Sequence, residues 1–296
     1  LPAIRLSQVS LRIHLLVNTQ RADALEAAAR AAMSLVEREI EVGVDHETAR
    51  HLPHPAVRDD EFDGCDLVVS FGGDGTLIRA AHLCSEKGTP ILGVYYGRFG
   101  FVTQCLGSEL AACLNSFFAG ESTLEPRMML QTELIRNGKT IATIHVLNEV
   151  VVQRAVTAQM MTFRVRVDGQ RLTAYPADGV MVVTPTGSTA YNLSAGGPIL
   201  DPKVQAMVLT AIAPHTLSAR PLVLNPDSEI RLELTADGEA VLSADAQTRL
   251  HLLSNDEIRV TKSPRVTNLL CVDKSDFLNK LSGRLSWSQS IFGDRG

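Results

Sequence analysis

Residues 71–76 read Phe-Gly-Gly-Asp-Gly-Thr, directly after the apolar run 65–70 (CDLVVS) and directly before the helix-patterned stretch 77–85. One carboxylate, Asp74, thus stands among Gly72, Gly73 and Gly75 at the mouth of a strand-to-helix turn. Three glycines in four positions imply a sharp bend or a close approach by another group, because a residue without Cβ tolerates both at least cost. The helix that follows offers unpaired N–H groups and the positive end of its dipole, so the place suits a phosphate. A carboxylate beside a phosphate cradle serves to hold Mg²⁺ or to orient an attacking hydroxyl. The plainer reading makes Asp74 a helix cap in a tight loop.

Three further segments carry chemistry. Asn148 and Glu149 interrupt an otherwise apolar strand (IHVLNEVVV), where an amide and a carboxylate are costly unless paired or lining a cavity. Asp178-Gly179 leads through an apolar run to Thr184, Thr186, Ser188, Thr189 and Tyr191, five hydroxyls in eight residues. Such a segment supplies donors without bulk, which suits a sugar–phosphate, and Tyr191 offers a ring for a base; an ordinary Ser/Thr loop has the same composition. Ser194-Ala195-Gly196-Gly197-Pro198 lets the backbone pass close to a neighbour, either a ligand or a packed helix. His46, His51 and His54 lie in a polar, proline-bearing loop without matching acids or cysteines, so no protein metal site is expected. There is no G-x-x-x-x-G-K-[ST] P-loop, no G-x-G-x-x-G fingerprint, no protein kinase motif set and no G-x-S-x-G elbow.

The elements that must position these residues fall into two regions. With 296 residues, 45% of them hydrophobic, the chain can bury a large core in one large or two ordinary domains. Residues 1–124 alternate strand and helix patterns: strands over 11–17, 40–44, 67–70 and 90–95, helices over 22–39, 77–85 and, with Ser108 as cap, 108–118. Residues 46–63 read as a loop. Near-continuous apolar strands alternating with helices imply a doubly wound parallel sheet covered on both faces, with ligands beyond the carboxyl ends of its strands. Residues 125–274 alternate Val, Ile, Thr and Leu with polar residues, punctuated by Asn137-Gly138, Asp168-Gly169 and Asp237-Gly238, and imply a mostly antiparallel β domain. A short helix is expected over 203–211. Another is expected over 275–285, with Phe277, Leu278, Leu281 and Leu285 on one side, the tail 275–296 packing back on the first domain.

Net charge of −5 argues against a nucleic-acid surface. No apolar run approaches the roughly 18 residues of a membrane span. The first residues lack a basic start and an apolar core, so no secretion signal is expected. Five cysteines without a C-x-x-C pair fit buried thiols in a reducing cytoplasm.

Together these segments resemble the NAD kinase family. Gly72-Gly73-Asp74-Gly75-Thr76, Asn148-Glu149, Ala177-Asp178-Gly179 and the block 184–198 stand in the family's order and spacing. Ala213-Pro214-His215-Thr216-Leu217-Ser218, Arg220-Pro221 and the tail around Leu285 and Trp287 add to the likeness, which runs over residues 65–287. The glycine–Asp turn alone is shared with diacylglycerol and sphingosine kinases and resembles phosphofructokinases; the block 184–198 separates NAD kinases from them. The resemblance implies phosphorylation of the 2′-hydroxyl of the adenosine ribose of NAD to give NADP, with ATP or polyphosphate as donor and a divalent metal ion, Mg²⁺ or Mn²⁺. It implies Asp74 as the catalytic acid–base residue, with Gly72, Gly73 and Gly75 in the same turn and Arg79 reaching the dinucleotide. Asn148 and Glu149 would hold phosphates and ribose hydroxyls, Asp178 the nicotinamide side, and Thr189, Ala190, Tyr191 and Ser194 the adenine side, partly across a subunit boundary. Gln159, Ala213 and Gln247 fall where the family has weaker contacts, and a homodimer or homotetramer is implied. Tyr95-Tyr96 replaces smaller or polar residues, Ala246 stands where the family has Gly, and Ser286 replaces the common glycine before Trp287. The other readings are a lipid kinase using the same turn and a non-catalytic dinucleotide-binding module.

Overall fold

The computed structural model describes residues 11–52, 57–58, 62, 64–96, 100–102, 105–155, 161–234, 239–271 and 276–285. Gln159, the Asp237-Gly238 pair, Pro53, His54, Pro55, Ser275, Ser286 and Trp287 lie outside them, as does the tail 286–296. The chain divides into two units, Leu1–Pro126 with Asn268–Gly296, and Arg127–Thr267.

The first unit opens with β1 (Arg12–Val17), α1 (Ala22–Val36), β2 (Glu41–Val44), α2 (His46–Ala49) and β3 (Val57–Arg58). It continues with β4 (Leu67–Gly72), α3 (Asp74–Cys84), β5 (Ile91–Tyr95), β6 (Cys105–Leu106) and α4 (Leu110–Phe118). The strands form a parallel sheet in the order β6-β5-β4-β1-β2-β3. β4 is buried along its whole length, as a strand covered on both faces must be. α1 lays Ala24, Ala27, Ala28, Ala31 and Leu35 on the sheet, in one cluster with Ile13, Leu15, Val69 and Phe71 and with Leu110 and Phe117 of α4. Each fully buried aliphatic such as Leu35 contributes about 1.5–3 kcal/mol. α3 contacts β4, β5 and β1 but has no residue in that cluster, so it covers the opposite face. The chain leaves β1 toward β2 and leaves β4 toward β5. The strand order therefore reverses between β1 and β4, and the Asp74 turn opens at that switch point.

Three local expectations change. The stretch 46–63 is not wholly loop: the Asp45 carboxylate accepts the Thr48 N–H at 2.7 Å and nucleates α2. Ser108 does not cap α4; the carboxylate of Glu109 accepts the Leu106 N–H at 3.0 Å and a 3₁₀ turn over Gly107–Glu109 leads in. The last helix runs over Asp276–Arg284 and buries Leu281, while Leu278 is exposed.

The second unit is antiparallel. Its strands are β7 (Thr123–Arg136), β8 (Lys139–Val146), β9 (Glu149–Arg154), β10 (Met161–Val167), β11 (Gln170–Ala177) and β12 (Gly179–Val183). After the one-turn helix α5 (Tyr191–Ser194) come β13 (Met207–Ile212), β14 (Leu222–Leu224), β15 (Ile230–Leu234), β16 (Ala240–Ala244), β17 (Thr248–Leu252) and β18 (Glu257–Cys271). One sheet runs β11-β10-β15-β18, with β7 pairing β18 and β8; the other runs β14-β13-β12-β9-β16-β17. Val150, Val152, Val180, Val182 and Leu242 from the second meet Phe163, Val165, Ile230 and Ile258 from the first in one core. Asn137-Gly138 and Asp168-Gly169 close their hairpins with φ of 51° and 74°, and 50° and 76°, the paired left-handed residues that a two-residue turn of this twist needs. The helix expected over 203–211 is absent: Met207–Ile212 is β13, inserted between β12 and β14. Its run MVLTAI is short and apolar, and such a run reads equally as helix or strand until a sheet offers it two partners.

Candidate active site

In the first unit β4 ends at Gly72, Gly73 occupies the N-cap of α3 at φ −107°, and Asp74 is the first helical residue. Neither Gly72, Gly73 nor Gly75 is left-handed, so here the glycines supply room rather than an unusual bend. A Cβ on Gly72 would collide with the side chain of Thr76, while Gly73 and Gly75 face open space through which a ligand can reach the backbone. Asp74 does not act as a side-chain cap. Its Oδ2 accepts the Phe101 N–H at 2.9 Å and its Oδ1 accepts the Val102 N–H at 3.3 Å. A Cβ on Gly100 would run into this carboxylate, which is why the segment after β5 can close over it. Sequence reasoning missed Gly100; the signal was a glycine in the stretch 93–101 (GVYYGRFGF), which was read for its tyrosines instead.

Arg79 lies one turn into α3, half exposed, with its Nη2 on Asp45 Oδ2 at 2.8 Å. Tyr96 stacks on Phe71 at 6.4 Å between ring centroids. With Tyr95 it lines a cavity of about 630 Å³ against Ala27, Arg30, Leu110 and Leu114, while Tyr95 pairs with Gly72 across the sheet and the Tyr96 N–H donates to the Gly72 carbonyl at 3.0 Å.

The second unit brings Asn148 and Glu149 to the start of β9, both buried. The carboxylate of Asp245 holds them there. Its Oδ2 accepts the Leu147 N–H at 2.7 Å, and its Oδ1 accepts those of Asn148 at 2.7 Å and Glu149 at 3.1 Å. Sequence reasoning did not name Asp245 as a site residue. Asn148 Oδ1 and Glu149 Oε2 make no hydrogen bond among the described residues although both are buried. Burial, and secondly the charge of Asp245, raises the Glu149 carboxyl from 4.5 to about 8. An acceptor and a carboxyl with spare bonding capacity in a buried place are a binding site for a polar ligand.

The hydroxyl-rich segment packs directly on this turn. Thr184 Oγ1 donates to the Leu147 carbonyl at 2.6 Å, and the Thr184 N–H donates to the Asn148 carbonyl at 2.8 Å. Gly187 lies so close to the Asn148 backbone that a Cβ would overlap it. Three of the five hydroxyls bond backbone carbonyls: Thr184, Ser188, which is fully buried and donates to Pro185 at 2.7 Å, and Thr189, which donates to Thr186 at 3.3 Å. Thr189, Ala190, Tyr191 and Ser194 follow through a 3₁₀ turn and α5, partly or fully accessible. Gly197 answers to packing: a Cβ there would strike the amide of Asn192, which bridges Ser188, Pro198 and Thr210. Asp178 pairs with Arg154 at 2.9 Å and stands 3.9 Å from His215. Ala213 is exposed, with φ 44°, just after β13, and Gln247 is exposed two residues beyond Asp245. The turn Asp245-Ala246 is left-handed at both positions, φ 49° and 56°, the conformation that a glycine at 246 would take without strain.

Two family models match the chain: the ATP-NAD kinase N-terminal domain over residues 13–122 and the ATP-NAD kinase C-terminal domain over residues 147–272. The chain belongs to the NAD kinase family. It is 39% identical over 277 residues to an NAD kinase of Moorella thermoacetica, covering 93% of this chain and 89% of that protein. It is 37% identical to one of Heliobacterium modesticaldum, covering 92% and 98%. Among solved structures, yeast NADH kinase complexed with NADH superposes with a TM-score of 0.86 at 25% identity, over 96% of this chain and 89% of that one. An Archaeoglobus fulgidus NAD kinase in complex with ATP gives 0.76 at 25% identity, over 93% and 99%. Both halves of the family pattern are thus present, which separates the chain from lipid kinases that share only the glycine–Asp turn. Among the described residues no helix is long and apolar enough to cross a membrane.

Proposed function

We propose that the chain transfers the γ-phosphoryl group of ATP to the 2′-hydroxyl of the adenosine ribose of NAD, giving NADP and ADP. The observation that carries this reading is Asp74, a carboxylate fixed by two backbone N–H groups at the open N-terminus of α3. In the proposed step the ribose oxygen attacks phosphorus as Asp74 takes its proton, and the work of the site is alignment and charge stabilisation. Gly72, Gly73 and Gly75 let the phosphates approach the backbone, and Arg79 contributes a cation beside them. Asn148 Oδ1 and the protonated Glu149 carboxyl supply an acceptor and a donor for ribose hydroxyls. Asp178 is assigned to the nicotinamide side, Thr189, Ala190, Tyr191 and Ser194 to the adenine side, and Gln159, Ala213 and Gln247 to weaker contacts.

A divalent ion, Mg²⁺ or Mn²⁺, neutralises phosphate charge when bound. Among the described residues no three His, Cys, Asp or Glu side chains cluster as a metal cage. Asp74 is the hard oxygen donor that the glycine turn would offer such an ion, alongside substrate phosphates and water. A homodimer or homotetramer in the cytoplasm completes the reading, in keeping with five unbridged cysteines. The test is incubation of the purified chain with NAD or NADH, Mg²⁺ and either ATP or polyphosphate, followed by an NADP(H)-specific assay, with light scattering for the oligomer. Product with ATP is expected; no product from any combination would sink the reading.

A further inference from the structure

Two cysteines that the proposed reaction does not use lie against one another. Cys105 in β6 and Cys113 in α4 place their sulfurs 3.1 Å apart, both buried, and neither forms a disulfide. A covalent S–S bond is about 2.05 Å, so closure needs a shift of only about 1 Å. Cys113 is not sealed off. It lines a cavity of about 410 Å³ together with Glu109, Ser116, Glu121, Ser122 and Cys271. The two thiols also differ. Cys105 donates to the Leu106 carbonyl at 3.2 Å, and either sulfur can donate to the other; their shared hydrogen bond holds the Cys113 thiol below its ordinary range and pushes that of Cys105 up. Cys113 borders the cavity and Cys105 does not, so Cys113 is the thiol a small oxidant meets first, while burial raises Cys84 to about 12 and keeps it inert.

We infer that Cys105 and Cys113 form an oxidisable dithiol, a modification site for hydrogen peroxide entering through that cavity. This goes beyond the kinase reading and does not depend on it. The Cys113 thiolate attacks one peroxide oxygen. An S–O bond forms, the O–O bond breaks, and the departing hydroxide takes a proton to become water. The Cys105 sulfur then attacks the sulfenic sulfur. The S–S bond forms, the S–O bond breaks, and hydroxide leaves with the Cys105 proton as a second water. Two thiols are oxidised to one disulfide and one peroxide is reduced to two waters. The ring so closed ties β6 to α4. It begins three residues after Val102, whose N–H holds Asp74, so closure restrains the segment that positions that carboxylate.

The test uses the full chain, reduced, freed of reductant and exposed to stoichiometric hydrogen peroxide. Expected are loss of two hydrogens in mass, loss of two of the five thiols, and a Cys105–Cys113 link that survives cleavage after Glu109 and disappears with dithiothreitol. Cys113→Ser should lose the link, while Cys84→Ser should keep it. First oxidation at Cys271, or accumulation of Cys113 sulfinic acid without a link, would overturn the proposal. These readouts need no NADP formation, so they fail or succeed apart from the kinase reading. The coupling to Asp74 is read separately, by activity that falls as the link forms and returns on reduction; full activity of a fully linked protein would overturn that coupling.

Discussion

Asp74 and Glu149 are the two carboxylates on which the proposed chemistry rests, and the two units treat them in opposite ways. Asp74 opens a helix, partly exposed, with N–H donors on both oxygens, a setting that keeps an acceptor oriented before any ligand arrives. Glu149 is buried beside Asp245 with one oxygen unpartnered, and its carboxyl is raised to about 8. In the proposed reaction the first unit orients its base with backbone N–H groups. In the same proposal the second unit makes its donor by withholding water and setting a like charge nearby. A parallel sheet leaves turns and helix N-termini at its carboxyl edge, while an antiparallel sandwich leaves only hairpins and strand ends, so each unit uses the groups its architecture makes available.

The comparison is broken most directly at Asp74. Asp74→Asn should lower NADP formation by about 10²–10⁴-fold, the usual worth of a positioned acid–base group, while calorimetry shows dinucleotide affinity largely intact. Normal turnover in that variant would remove Asp74 from its role. At Glu149 the contrast is read as pH dependence. With its carboxyl raised from 4.5 to about 8 in the fold, the folded state keeps a proton that the unfolded chain releases between those values. The parent therefore loses stability as pH rises through that window. Glu149→Gln carries no such proton, so its stability relative to the parent should rise over the same window by about 3–5 kcal/mol. Urea unfolding at several pH values checks this, and a pH-independent difference would contradict it.

Smaller changes sharpen the second unit's side of the comparison. Gly187→Ala forces a Cβ into the Asn148 backbone and should cost about 1–3 kcal/mol, as overpacking does. Dinucleotide affinity should fall with it, because the Asn148-Glu149 turn must move; unchanged melting and binding would show that the turn adjusts freely. The smallest effect is expected at Ala246, whose φ of 56° suits glycine better. Ala246→Gly should gain about 1 kcal/mol, seen as a rise of a few degrees in melting temperature, with kcat unchanged.

Much of the fold was legible because periodicity was strong. The alanine and leucine spacing of α1 and the Asn137-Gly138 and Asp168-Gly169 turns each have one local solution, and the structure adopts it. Residues 203–211 failed for the opposite reason: a short apolar run carries no information on whether neighbouring strands will flank it. The hydroxyls of 184–191 were legible as a polar cluster, but not which of them face inward; Thr184 and Ser188 turned out to tie the backbone. Asp245 lies 96 residues beyond Glu149, and no local pattern links the two.

What the sequence determined by itself is the location of the strand-to-helix turn around Asp74, the change from alternating α/β to β at about residue 125, and the membership carried by its ordered motifs. These follow from short-range propensity and spacing, which a linear chain records. The tertiary structure alone decided that Phe101 and Val102 hold Asp74, that Asp245 fixes Asn148 and Glu149, and that Cys105 meets Cys113. Each is a directional contact between side chain and backbone, or between two side chains, that exists only once burial has brought separate segments within bonding distance and stripped them of water.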